Sequence, residues 1–271
     1  MLPGRNKAGT NASCDHVFYH GTVFRNRKPP YLLWTSLRDS GKRDMSIFFF
    51  FDVTRHGLEP TSENMLWSLE RRKSSQLAYV ATQEYSDNST TIMPPADFIQ
   101  QYVMNPYQFI ALVERMEESL VVMKLLWGLN DEDVIVLSAK QSGSYDDAKY
   151  RKKCNKIPEA YTTPQVDEYL KTNYIDGNHD YLLSYAVANR SLDLTIDALG
   201  RERVEQEVEK HRRLQQLADD NCLSQSIFPC SANGTRQVEK SQANCYHNDF
   251  GCGFPCVDNL LRGNLARSRH H

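Results

Sequence analysis

The sequence has no long apolar run and no marked excess of charge of one sign. No stretch approaches the roughly 18 apolar residues that a membrane-spanning helix needs, and residues 1–10 lack the apolar core of a signal peptide. The formal net charge is −2, which argues against nonspecific nucleic-acid binding because such binding needs a clear positive excess. The motif GxxxxGK(S/T) is also absent, which argues against a P-loop nucleotide hydrolase.

The sequence has 271 residues, which are enough for one sizeable domain, and 40% of them are hydrophobic. Strand-like segments at 109–113 and 133–137 flank an amphipathic helical pattern at 117–126. This order predicts a β-α-β unit and therefore a parallel sheet flanked by helices, in the α/β class. Farther along, the charge pattern of residues 193–220 predicts one long helix with a solvated outer face.

Most of the seven cysteines lie near the end of the chain, in a polar stretch that could not form a hydrophobic core of its own. Such segments are usually held by disulfides, although the sequence does not give their connectivity and leaves Cys14 and Cys154 either paired or free. A zinc site at Cys252 and Cys256 with His247 is the alternative. The paired CxxC spacing of structural zinc sites is missing, so we predict disulfides and no metal. The late cysteines are Cys222, Cys230, Cys245, Cys252 and Cys256.

Four sequons for N-linked glycosylation occur, at Asn11, Asn88, Asn189 and Asn233. Each is a motif that arises often by chance, but together with the cysteines they favour a secretory compartment. That compartment conflicts with the missing signal peptide. A membrane anchor encoded upstream of Met1, as Golgi enzymes have, would reconcile the two observations.

The chemistry concentrates in residues 31–51, where an apolar strand is followed by a helix that Asp39 or Ser40 could cap. Arg38 stands at the junction and can bind a phosphate through two parallel hydrogen bonds. The free N–H groups at the helix start favour an anion at the same place. Ser46, about two turns into the helix, could add a hydroxyl donor. The plain alternative is a helix cap beside a surface arginine.

The run LWTSLRDSGKRDMSIFFFF resembles the 3′-phosphate-binding motif of sulfotransferases. In that family the first arginine and the serine hold the 3′-phosphate of the donor, 3′-phosphoadenylyl sulfate, and these residues fall on Arg38 and Ser46. The second arginine of the motif falls on Arg43. Ser40 replaces the usual proline, which lowers the preorganisation of the first helical turn but removes no ligand.

A second run, FIALVERMEESLVVMKLLWGLNDEDVIVLSAK, resembles the galactose-3-O-sulfotransferase family, whose glutamate and acidic-Glu-Ser-Leu-Val motifs fall on Glu114 and on residues 117–121. Residues 180–222 resemble the distal half of the same family, and the cysteine-rich ending is similar to that of its algal members. The resemblance implies a P-loop-like sulfotransferase fold in a domain at 1–222, followed by a cysteine-rich tail at 223–271.

The resemblance further implies transfer of sulfate from 3′-phosphoadenylyl sulfate to a hydroxyl of a glycan or glycolipid, in the Golgi lumen. It implies no metal and no nucleic-acid partner, and membrane association only through an anchor absent from this sequence. Sulfuryl transfer needs positioning, charge stabilisation and a base that takes the hydroxyl proton.

The candidate bases are His16 and His20, since related carbohydrate sulfotransferases place a catalytic histidine in a similar position. Near neutral pH a histidine can accept a proton, but the two could equally be ordinary polar residues. Glu114 follows a predicted parallel strand, where ligands bind in open α/β sheets. It could act as a base, a sugar-hydroxyl acceptor or a cap.

The family also has a lysine loop, which binds the 5′-phosphosulfate. Only Lys7, in the run Lys-Ala-Gly-Thr, resembles it, and no apolar strand precedes and no apolar helix follows that run. Either the true loop lies upstream of Met1 or the protein is a non-catalytic relative that binds glycans or has a structural role. The loop 142–153 could cover the nucleotide or a sulfated acceptor, or be a solvated basic loop.

Overall fold

The computed structural model describes residues 32–71, 80, 95–138, 141–146, 153–177, 179–237 and 252–268. These residues form a mixed α/β structure that is mostly helical. The strands are β1 (Trp34–Leu37), β2 (Phe109–Leu112), β3 (Tyr145–Asp146) and β4 (Asn155–Lys156). The helices are α1 (Ser40–Ile47), α2 (Ser62–Glu70), α3 (Pro95–Ile99), α4 (Met116–Trp127), α5 (Pro164–Lys171), α6 (Asn173–Gly177), α7 (His179–Leu199), α8 (Arg201–Cys222) and α9 (Phe254–Ser268).

β1 and β2 form a two-stranded parallel sheet, in which Trp34 lies opposite Phe109 and Leu37 lies opposite Leu112. All four residues of β2 are buried, as an apolar parallel strand between helices requires. The strand predicted before Arg38 is therefore confirmed. β3 and β4 form a separate antiparallel pair.

The predicted helix after Arg38 is also confirmed, and Asp39 is its cap. The Asp39 carboxylate accepts a hydrogen bond from the Lys42 backbone N–H at 2.8 Å. α1 continues directly into a π-helical stretch, Phe48–Arg55. α4 covers the helix predicted at 117–126 and ends at Gly128, which has the left-handed backbone conformation that favours glycine.

The predicted β-α-β unit is wrong, because residues 133–137 do not form a strand. Their buried apolar side chains suggested one, but the segment runs beside α8 and its backbone pairs with a side chain. Val136 N–H donates to Gln215 Oε1 at 3.0 Å, and Gln215 Nε2 donates to the Val136 carbonyl at 2.8 Å. The parallel partner of β2 is instead β1, which is distant in sequence.

The predicted single helix at 193–220 is two helices, α7 and α8, separated by Gly200 at φ 91°. The sequence predicted a solvated outer face, and α8 also has an inner face on which Val204, Val208 and His211 are buried. The sequence indicated the charged outer face more clearly than the inner face, because apolar residues occur only about once per turn on the inner face.

Three clusters of buried hydrophobic side chains are found in the described residues. The first surrounds β1 and β2 and is built by α4, α7 and α8. The second joins α1 and its π-helical extension to α2, α5 and α6. The third contains Ile135 and Leu137 together with residues of α8 and α9. The site described below lies between the first and second clusters.

The predicted disulfides are present in the described residues. Cys154 pairs with Cys230, and Cys222 pairs with Cys256. Cys252 is disulfide-bonded as well. Because Cys256 is in a disulfide, it is not available as a zinc thiolate. Disulfides persist in oxidising environments and therefore indicate a secreted or lumenal compartment. None of the described helices has the length and apolar character to cross a membrane.

We expect removal of the Cys222–Cys256 disulfide to lower the free energy of unfolding by about 2–4 kcal/mol. The bond closes a sequence separation of 34 residues and joins α8 to α9 within the third cluster. Urea unfolding of the Cys222→Ser/Cys256→Ser double variant, with and without reductant, measures the effect. An unchanged free energy of unfolding in the non-reduced variant would contradict it.

A second prediction concerns His211, which is 5% exposed. Burial lowers its pKa below the ordinary histidine value of 6.5, and Lys124 and Arg212 act in the same direction, while Glu117 and Asp131 oppose them. Below pH 6.5 the unfolded chain therefore binds more protons at this residue than the folded chain. The free energy of unfolding should fall as pH drops below 6.5, with a slope of at most about 1.4 kcal/mol per pH unit.

Urea unfolding of wild type and His211→Gln between about pH 7.5 and 5.5 tests this prediction, because the variant should lose that part of the slope. His56→Gln is the matched control, since the His56 side chain is 69% exposed. An identical pH slope in wild type and His211→Gln would show that His211 does not contribute.

Candidate functional site

The candidate site lies where β1 ends and α1 begins. Arg38 occupies the turn between them, and the first N–H groups of α1 face the same region. This is the strand-to-helix arrangement that the sequence predicted. The start of α1 packs closely on α5, because a Cβ atom added at Gly41 would lie 3.3 Å from Leu170.

A cavity of about 570 Å³ opens at this turn. One wall is the first two turns of α1 and its π-helical extension, and the opposite wall comes from residues 157–162, α5 and α6. Polar, cationic and aromatic side chains share the lining. The lining residues used below are Arg38, Lys42, Ser46, Phe50, Tyr161, Lys171 and Tyr174.

Arg38 is held in place by α7. The Tyr181 hydroxyl accepts a hydrogen bond from the Arg38 backbone N–H at 3.1 Å and donates one to the Arg38 carbonyl. Tyr181 is only 1% exposed, so its hydroxyl satisfies two backbone groups that water cannot reach freely. Burial raises the pKa of Tyr181 far above its usual range, and it therefore remains a neutral donor and acceptor.

Glu114 lies directly beside Arg38, at the end of β2. Its Oε2 accepts hydrogen bonds from the Asp39 backbone N–H at 3.1 Å and from the Tyr185 hydroxyl at 2.9 Å. Its Oε1 lies 3.9 Å from Arg38 Nε. Burial, followed by the hydrogen bond to Glu114, raises the pKa of Tyr185 to about 12. The carboxylate thus contacts both the backbone and the side chain at the turn.

The structure brings Arg38 and Ser46 to the same cavity, as the phosphate-binding interpretation requires. The Arg38 side chain is 37% exposed, and its buried Nε has no hydrogen-bond partner among the described residues. Arg43 is placed differently. Its Nη1 donates to Asp44 Oδ1 at 3.0 Å, and it is not among the described residues that line the cavity.

The other acidic residues matched at 117–121 have structural partners. Glu117 accepts from Arg212 Nε at 2.8 Å, and Glu118 pairs with Arg115. The buried Ser119 hydroxyl accepts a hydrogen bond from the Leu112 N–H at 3.0 Å. Ser119 therefore satisfies the last backbone donor of β2 and fixes the strand against α4.

The cavity contains cations that the sequence did not single out. Lys42 lies in the first turn of α1 and Lys171 at the end of α5, and both are exposed residues that line the cavity. Only the tertiary packing of α5 on α1 places Lys171 near Arg38. No motif surrounds it in the sequence, so no sequence signal could have found it.

Aromatic side chains supply much of the remaining wall. Tyr161 packs on Phe49 with ring centroids 5.3 Å apart, and its hydroxyl donates to the Pro60 carbonyl at 2.5 Å. The Tyr174 hydroxyl donates to Asp44 Oδ2 at 2.7 Å, and burial raises its pKa above the usual range. Flat aromatic surface beside cations can bind a nucleotide base and its phosphates.

Contacts at β3 and β4 hold the segment that leads into the wall formed by residues 157–162. Arg55, the last residue of the π-helical stretch, donates from Nε and Nη2 to the two oxygens of the buried Asp146 in β3, at 3.0 and 3.3 Å. The same guanidinium lies 4.5 Å from the ring centroid of Phe50. β4, which leads into this wall, follows Cys154 and its disulfide.

Three of the predicted site residues lie outside the described residues: His16, His20 and Lys7. Their roles as base and as phosphate-binding lysine stay predictions. Among the described residues that line the cavity there is no histidine.

Comparison with known proteins adds no assignment to this geometry. No protein-family model, no curated protein and no solved structure matches the chain.

We expect Tyr181→Phe to lower the free energy of unfolding by about 1–3 kcal/mol, because it leaves the Arg38 N–H and carbonyl without their partner. Tyr185→Phe makes the same chemical change in the same helix, but the hydrogen bond that it removes, from the Tyr185 hydroxyl to Glu114, is more exposed. It should cost less than about 1 kcal/mol. Urea unfolding measures both, and an equal effect of the two changes would refute the distinction.

Proposed function

We propose that the cavity binds 3′-phosphoadenylyl sulfate and that the protein transfers sulfate from it to a hydroxyl of a glycan or glycolipid. The observation that carries the proposal is the joint placement of Arg38 and Ser46 on one cavity at the start of α1. The turn after a parallel strand is where open α/β proteins bind ligands. The parallel pair β1–β2 is compatible with the P-loop-like sulfotransferase fold that the sequence resemblance implies.

In this proposal the 3′-phosphate is bound by Arg38 with help from Ser46 and the N–H groups of α1. An arginine can form two charge-assisted hydrogen bonds to a phosphate, and the helix start adds favourable partial charge. Glu114 then has a positioning role, because it contacts Arg38 and Asp39 and is not among the described residues that line the cavity. The aromatic wall at Phe50 and Tyr161 is suited to the adenine.

The transfer itself requires the acceptor hydroxyl oxygen to bond to sulfur while the bond from sulfur to the 5′-phosphate oxygen breaks. The hydroxyl proton passes to a base, for which His16 and His20 are the candidates, and the charge developing on the 5′-phosphate is stabilised by a cation. Lys42 and Lys171 are cavity cations that can serve there beside or instead of Lys7. No metal is required.

The compartment is consistent with this acceptor class. The disulfides indicate a secreted or lumenal environment, and glycans and glycolipids are displayed in that environment. We propose the Golgi lumen as the compartment of the activity.

The second candidate function is a non-catalytic relative that binds a glycan or has a structural role. It is favoured by the lysine loop, because only the run Lys7-Ala-Gly-Thr resembles that loop and it lacks the flanking apolar strand and helix. The two candidates differ in whether sulfate is transferred. In both of them the cavity is the binding site, for the nucleotide or for an anionic glycan.

Calorimetric titration with adenosine 3′,5′-bisphosphate tests the nucleotide site. We expect Arg38→Ala to weaken binding about tenfold or more, because a charge-assisted contact is lost. Ser46→Ala should weaken it by a smaller factor. Arg203→Ala, an exposed arginine of α8, is the matched control and should bind like wild type. Absence of binding by wild type, or equal binding by Arg38→Ala and the control, would rule out the site.

Transfer is tested separately with labelled 3′-phosphoadenylyl sulfate and a galactose-terminated glycolipid. Label in the glycolipid with wild type, and its loss in Arg38→Ala, is the result expected for the enzyme. Nucleotide or glycan binding without labelled product would instead support the non-catalytic candidate.

A further inference from the structure

One of the four glycosylation sequons lies on an exposed turn that the fold holds in place. Residues 231–235 contain the sequence Ser-Ala-Asn-Gly-Thr, with Asn233, Gly234 and Thr235 as the sequon. Asn233 and Thr235 are both exposed. The Asn233 carboxamide has no hydrogen-bond partner among the described residues, so its Nδ2 is free to react.

The turn is closed by its own backbone. The Gly234 N–H donates to the Ser231 carbonyl at 3.0 Å, and the Ser231 N–H donates to the Thr235 carbonyl at 2.9 Å. The Ser231 hydroxyl accepts from the Thr235 N–H at 3.0 Å. A short bridge between Cys230 and Arg236 flanks the turn. The sequon therefore stands at the tip of a small hairpin.

The middle residue of the sequon faces the protein, while the asparagine is exposed. Gly234 has φ 74°, and a Cβ atom added there would lie 2.4 Å from the Tyr145 ring. A glycine is thus required at this position both by backbone conformation and by contact. Packing of Gly234 on Tyr145 leaves the adjacent Asn233 on the solvent side of the turn.

The sequon at Asn189 has the opposite environment. Asn189 lies within α7, and its Oδ1 accepts a hydrogen bond from Arg115 Nη1 at 2.9 Å. The same arginine pairs with Asp193 at 2.9 Å and with Glu118. N-linked glycosylation attaches the sugar to Nδ2, so Oδ1 of Asn189 could still accept from Arg115, but a bulky polar group would be placed beside a half-buried side chain and this ionic cluster. Asn189 is therefore a poorer acceptor in the folded chain than the exposed Asn233.

The compartment also favours the turn. Cys230, three residues before Asn233 in the sequence, is bonded to Cys154. This bond needs an oxidising environment, and N-linked glycosylation takes place in the same secretory lumen. Its presence beside the sequon supports a secreted or lumenal location for this part of the chain.

We propose that Asn233 is an N-linked glycosylation site and that Asn189 is not. The donor is a lipid-linked oligosaccharide pyrophosphate. Asn233 Nδ2 bonds to the anomeric carbon of the first sugar and loses one proton, while the bond from that carbon to the pyrophosphate oxygen breaks and the pyrophosphate leaves as an anion. The proposal does not depend on the sulfotransferase function, because it concerns a separate surface.

The test is secretion of the full chain from a eukaryotic host behind a cleavable signal sequence. Enzymatic release of N-glycans in isotope-labelled water converts each glycosylated asparagine to labelled aspartate, which peptide mass spectrometry locates. We expect label at Asn233 and none at Asn189. Unlabelled Asn233, or label at Asn189, would overturn the proposal, and this measurement needs no variant to fold.

Variants provide the second arm. Asn233→Gln and Thr235→Ala should each remove one glycan from the intact mass of the secreted protein. Thr235→Ser is the matched control, because it keeps the hydroxyl of the sequon and should keep the glycan. Asn189→Gln should leave the glycan mass unchanged. Equal glycan mass in wild type, Asn233→Gln and Thr235→Ala would contradict the assignment.

Discussion

The turn from β1 into α1 depends on one hydroxyl group. Tyr181 in α7 is bonded to both the N–H and the carbonyl of Arg38, so the backbone of the turn is fixed at a point where strand pairing has ended and helix pairing has not begun. Four residues later on the same face of α7, Tyr185 fixes Glu114, which in turn contacts Asp39 and Arg38. The direction of the Arg38 guanidinium therefore follows from the packing of α7 under the sheet.

This dependence explains which parts of the structure could be predicted from the sequence. The strand before Arg38, the helix that follows Arg38 and the helix α4 are determined by residues close together in the chain, and all three were predicted, with the cap of the second left between Asp39 and Ser40. The pairing of β1 with β2 joins residues 75 positions apart in the sequence. Local patterns contain no information about such a partner, so the sequence suggested the nearer segment at 133–137.

The candidate site divides in the same way. Arg38 and Ser46 lie on one element, and their spacing was visible in the sequence. Lys171 reaches the cavity because α5 packs on α1 through contacts such as that of Leu170 with Gly41, and Tyr161 reaches it because its ring packs on Phe49. The pairing of cysteines is a further example, since Cys154 and Cys230 are 76 residues apart and the sequence could not connect them.

The antiparallel pair β3–β4 connects the cavity wall to the Cys154–Cys230 disulfide. Asp146 is buried and paired with Arg55, whose guanidinium also contacts Phe50 of the cavity wall. On the other side of the hairpin, Cys154 ties the segment leading to the cavity to the tail. The antiparallel pair β3–β4 has only four residues, and it connects the site to the cysteine-rich part of the chain.

The side-chain amide of Gln215 has a consequence for the backbone of the segment at 133–137. An extended segment with unpaired backbone groups is a template onto which a strand from another molecule can add. Both backbone groups of Val136 are already occupied by Gln215. A single glutamine on a helix thus occupies two of the groups that a strand from a neighbouring copy would need to pair with this segment.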